Sequence, residues 1–120
     1  MDIKDPSVNE WELQAFFGSV HVSRDFGDQW YDSDSLYEYQ DSTGLKLTFA
    51  IHPIHLDVRV TLSLNENIFY DWQVCGALDV HYIEEVTQSR LVVEAGENEK
   101  CEILISPTIT LKHFSGSFGT

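Results

Sequence analysis

The chain has 120 residues, 20 of them acidic and 7 basic, for a formal charge of −13, and this length fits one domain rather than two. At 42% hydrophobic and 22% charged it reads as globular, with enough chain to bury roughly two-thirds of its unfolded surface without a metal or disulfide staple. The acid excess argues against nucleic-acid binding and against anionic membrane surfaces, which both need clustered Lys and Arg; it leaves a basic protein, a cation or plain solubility as its use.

The first element expected is a short helix over residues 7–18. Ser7 and Glu10 have the spacing of a capping box, Pro6 precedes them, and Gly18 stands where a left-handed C-terminal residue belongs. Val8, Trp11 and Ala15 fall on one face, and Leu13, Phe16 and Phe17 widen the apolar arc. So greasy a helix has to pack on something larger, and a sheet is expected.

Residues 19–44 form an acidic and aromatic segment with few aliphatic side chains. Val20 and Val22 suggest a short strand, and Leu36 to Gln40 another with both tyrosines on one face. From residue 45 to 114 the period is two. Leu45, Leu47, Phe49 and Ile51 alternate with polar neighbours, as do Leu56, Val58, Val60, Leu62 and Leu64, with a hairpin near His52–His55. Asn65, Glu66 and Asn67 read as a turn. Weaker alternation continues through Ile68–Val74, Leu78–Tyr82, Leu91–Glu94, Cys101–Ile105 and Ile109–Leu111, and residues 115–120 read as a frayed tail.

No helical segment separates these strands, so parallel βαβ units are not expected. The fold class is mainly β (α+β): an antiparallel sandwich or strongly curled sheet of seven to eight strands with one short N-terminal helix, all in one domain. Cys75 and Cys101 read as two buried, reduced thiols, with a single bridge as the alternative. The opening MDIKDPSVNE lacks the basic and apolar regions of a signal peptide, and no apolar run is long enough to span a bilayer. A cytoplasmic location is expected.

Catalytic chemistry finds little support. His52 and His55 make an H-x-x-H around a proline and would need a third ligand to hold a catalytic metal. Counted from Asp32, an EF-hand loop would put Leu36 at its fifth position and Tyr37 at its sixth, so that motif fails. There is no G-x-S-x-G and no phosphate-cradling glycine loop. A non-enzymatic protein without cofactor or metal is expected. A ligand- or carbohydrate-binding β-sandwich, with or without calcium, and a metal-dependent enzyme using His52 and His55 are the alternatives.

The charge is unevenly spread. Residues 1–41 hold ten acids against Lys4 and Arg24, a net of −8, and the other 79 residues hold ten acids against five bases, a net of −5. Aromatic side chains supply rigid contact area, and carboxylates steer a basic partner and pair with its Arg and Lys. The expected partner-binding residues are therefore Asp28, Trp30, Tyr31, Asp32, Asp34, Tyr37, Glu38, Tyr39 and Asp41.

With WELQAFFG at the start, DQWYDSDSLYEY after it and the strands LKLTFAIH, VCGALDVHYI and CEILISP, the chain resembles the small acidic immunity proteins of bacterial contact-dependent and polymorphic toxin systems. The resemblance implies a protein that binds and blocks a cognate toxin, often a basic nuclease, through acidic and aromatic side chains.

Overall fold

The computed structural model describes residues 6–18, 22–23, 30, 34–86, 88–106 and 108–114, residues 22–23 as backbone alone. Helix α1 spans Glu10–Phe17 and is followed by β1 (Val22–Ser23), β2 (Ser35–Gln40), β3 (Leu45–His52), β4 (Asp57–Leu64) and β5 (Asn67–Val74). Then come β6 (Asp79–Ile83), β7 (Arg90–Gly96), β8 (Glu99–Leu104) and β9 (Thr110–Phe114). Strands β1 to β5 form one antiparallel sheet and β6 to β9 a second, each strand bonded to the next in sequence. The expected class holds: mainly β, antiparallel and two-layered, with one short helix. The described residues hold nine strands rather than seven or eight because β1 is a two-residue pairing against β2.

One core serves both sheets. Leu47, Phe49 and Val60 of the first sheet, Val80, Leu91 and Ile103 of the second, and Leu13, Phe16 and Phe17 of α1 belong to a single buried cluster. The helix closes one side of this sandwich. Phe17 stacks on Tyr37 and Phe49 at centroid distances of 5.5 and 5.8 Å, Phe16 meets Tyr82 edge-on at 6.0 Å, and the Val8 N–H donates to the Val80 carbonyl at 2.8 Å. The opposite side is closed by side chains of β5 and β9. The Tyr70 hydroxyl lies 3.0 Å from His113 Nδ1, and Trp72 meets the same imidazole edge-on at 4.5 Å.

The helix starts two residues later than the Ser7–Glu10 spacing suggests. Asn9 is the N-cap: its Oδ1 accepts from the Glu12 N–H at 2.9 Å, and Glu12 Oε1 accepts from the Asn9 N–H at 3.1 Å. Ser7 is drawn away to β6, its hydroxyl donating to Asp79 at 2.6 Å. A tertiary carboxylate outcompetes the local capping site. Replacing Asn9 with alanine is expected to cost about 1 kcal/mol, the usual value of a lost cap, read as a lower urea midpoint with an unchanged slope.

Two further departures have local causes. Leu56, expected within a strand, sits in the β3–β4 turn with φ of +53°. Burial of its side chain and the bond from the Ala77 N–H to its carbonyl hold that left-handed conformation. In β5 the register shifts between Leu62 and Ser63: Tyr70 pairs with Leu62, Ile68 with Ser63, and Phe69 is the extra residue. This bulge turns Ile68 outward with Ser63, leaving Ile68 and Phe69 60% and 62% exposed. The turn expected at Asn65 and Glu66 is present, both residues having the positive φ of a two-residue hairpin turn.

Candidate partner-binding surface

Strand β2 sorts the acidic-aromatic segment by its period of two. Tyr37 pairs with Phe49 and Tyr39 with Leu47, facing the core, and Glu38 pairs with Thr48 on the outer face of the sheet. Tyr37 is fully buried and accepts a 3.0 Å bond from the Trp30 indole N–H. Burial pushes its hydroxyl well above the usual tyrosine range. Its place is in the core beneath the surface, and Trp30 is half-buried against the same core. Tyr39, also half-buried, lines an opening at the surface.

The described acids of the segment have local partners. Asp34 accepts from His52 Nδ1 at 2.8 Å, and Glu38 pairs with Lys46 at 3.1 Å. Asp41 accepts from the Thr43 hydroxyl and from the Thr43 and Leu45 N–H groups. The Thr43 hydroxyl contributes most to holding the Asp41 carboxyl below the usual range. Asp28, Tyr31 and Asp32 lie outside the described residues.

His52 and His55 have ring centroids 4.8 Å apart, but among the described residues no group of three His, Cys, Asp or Glu side chains is placed to hold a metal. The cysteines differ from the expectation of two buried thiols: both are free, Cys101 is buried and Cys75 is exposed. Burial pushes Cys101 up to about 12 from an ordinary 9.0. One thiol is therefore expected to react with a maleimide in the native protein and two after unfolding. Cys101 stays neutral in the folded chain while the unfolded thiol ionises near 9.0, so its stabilising contribution is complete below that pH. Stability should fall as pH rises from there toward 12. A urea midpoint that is flat across this window would contradict the assignment.

A groove of about 300 Å³ opens between α1, β2 and the connection from β6 to β7. Phe16, Tyr39 and Tyr82 give it aromatic walls, and Ala15, Glu85 and Val86 stand along it. The Tyr82 hydroxyl donates to Ser89 at 3.4 Å, and Arg90 pairs with Glu85 at 3.0 Å. Val86 is wholly exposed. Trp11 lies one helical turn before Ala15 on the same face and is 70% exposed. Trp11, expected with Val8 and Ala15 on the packed face of the helix, lies outside it. The buried stripe is instead Leu13, Phe16 and Phe17, at the i, i+3, i+4 spacing that leaves Trp11 outside it. That spacing is the signal that singles out Trp11. For Tyr82, Glu85 and Val86 the sequence carries none, because sheet packing alone brings them to α1.

No protein-family model matches the chain, and no curated protein matches it. Among solved structures the fold matches a chain of the contact-dependent growth inhibition toxin–immunity protein complex from Klebsiella pneumoniae 342. The TM-score is 0.77 at 24% sequence identity, over 94% of this chain and 97% of that one. The likeness is one of fold. It extends through α1 and both sheets, with almost nothing left over in either chain. Among the described residues, no helix is long and apolar enough to cross a membrane.

Proposed function

We propose that the protein is a non-enzymatic immunity protein that neutralises a cognate bacterial toxin by binding it. The whole-length fold likeness to a component of a toxin–immunity complex carries this reading. The formal charge of −13 favours the immunity side of such a pair, because an acidic chain suits a basic partner and suits nucleic-acid substrates poorly. The contact surface is built on the 25–41 segment: Asp28, Tyr31, Asp32, Asp34, Glu38, Tyr39 and Asp41 meet the toxin, with Trp30 bonded to the buried Tyr37. The partner is a basic protein domain, a nuclease being the class whose own substrate demands that charge. The site of action is the cytoplasm of the producing cell.

Growth assays test the proposal. A candidate toxin domain, taken from any large reading frame that adjoins this gene, is expressed in bacteria with and without the chain. Growth arrest by the domain alone, relieved by co-expression, is the expected result. Arrest that persists, or arrest caused by this chain on its own, would overturn the assignment.

A further inference from the structure

We infer that the groove between α1, β2 and the β6–β7 connection receives one long cationic side chain, an arginine or lysine, from the protein partner. The inference rests on the proposed immunity role and specifies the chemistry of its contact. Three features of the groove carry the inference.

It joins aromatic walls to a carboxylate. Phe16 is 7% exposed, and it packs edge-on against Tyr82, so the floor is rigid and apolar. Tyr39 and Glu85 also line the groove, and Glu84, next to Glu85 in the chain, is exposed. Methylenes of an arginine or lysine gain from an apolar wall, their charged heads gain from a carboxylate and a ring face, and both gain more as water is excluded. Glu85 already accepts from Arg90 at 3.0 Å, and a carboxylate has acceptor capacity for a second cation.

Its lining mixes polar and apolar side chains, with Gln88, Ser89 and Ser106 beside Ile105 and the wholly exposed Val86. Trp11, one helical turn before the lining residue Ala15, is 70% exposed. Tryptophan is prominent among residues that dominate binding energy.

Its size suits one side chain rather than a folded segment. About 300 Å³ is the lower end of small-ligand pockets.

Two measurements test the inference. In amide-resolved NMR, Nα-acetyl-arginine methylamide is titrated into the parent protein, with Nα-acetyl-norleucine methylamide as the uncharged comparison. Saturable shifts centred on Tyr39, Tyr82 and Glu85, absent with norleucine and lost in Glu85→Gln, are expected. Shifts centred on another face, or equal shifts from norleucine, would overturn the groove. In the second measurement, Val86→Arg and Glu85→Gln should each weaken toxin binding by about tenfold or more. Phe69→Arg, at the far edge of the first sheet, should leave it unchanged. Both groove positions are exposed, so folding is preserved. A toxin that binds the parent and both groove variants equally would overturn the groove and leave the immunity role standing. A parent that fails to protect cells would overturn the immunity role, and the arginine titration would still decide the groove.

Discussion

Replacing Tyr37 with alanine is expected to destabilise the protein by about 3–5 kcal/mol, the range for deleting a large aromatic from a core. The ring is 0% exposed, and Phe17 stacks on it at 5.5 Å and 19°. Its loss opens a cavity at the junction of α1 with the first sheet and removes the acceptor of the Trp30 indole N–H. Tyr37→Phe keeps the ring and removes the hydroxyl that accepts from Trp30. It should cost about 1–3 kcal/mol, the penalty for a donor left unsatisfied. The two variants separate packing from hydrogen bonding in one urea series. An alanine variant with the parent's midpoint would show that the ring is not part of the core. The series also checks the division of labour in the segment, since a partner-contact residue would lose binding with stability intact.

If the proposed immunity role holds, association with the toxin is expected to depend steeply on salt. Between about 0.01 and 1 M the Debye length falls from about 30 to about 3 Å. Electrostatically steered encounters lose roughly 10- to 1,000-fold in rate as steering is screened. With a charge of −13 on 120 residues, the association rate constant should fall within that range and the dissociation rate should change far less. Stopped-flow mixing across a salt series measures both. A salt-independent association rate would mean that the acid excess plays no part in recognition. Glu38, Asp34 and Asp41 are each engaged locally, so the steering field comes from the summed charge of the chain rather than from these three alone.

How legible the molecule is in its sequence varies by element. Strands β3 and β4 are plain, because one face of each packs into the core and the other carries mostly polar side chains, which gives the alternation. Strand β5 is not plain: both of its faces carry apolar residues, and the bulge at Phe69 breaks the period. The capping box at Ser7 is a false local signal, since Asp79, 72 positions away, takes the hydroxyl. The acidic-aromatic segment is visible as a composition. Its separation into buried Tyr37 and outward Glu38 follows from the period of two once the strand is accepted.

The sequence by itself determines an acidic, mainly antiparallel β protein with one N-terminal helix, and an acid excess concentrated in its first third. These follow from local rules, the alternation of side chains along a strand and the count of charges. Only the tertiary structure decides which aromatics are spent on the core and which line an opening. Tyr37 and Tyr39 point to the same face of β2, yet one is sealed beneath Phe17 and the other borders the groove with Tyr82 and Val86. That outcome depends on where the helix docks between two sheets, a contact between elements far apart in the chain that no window of sequence contains.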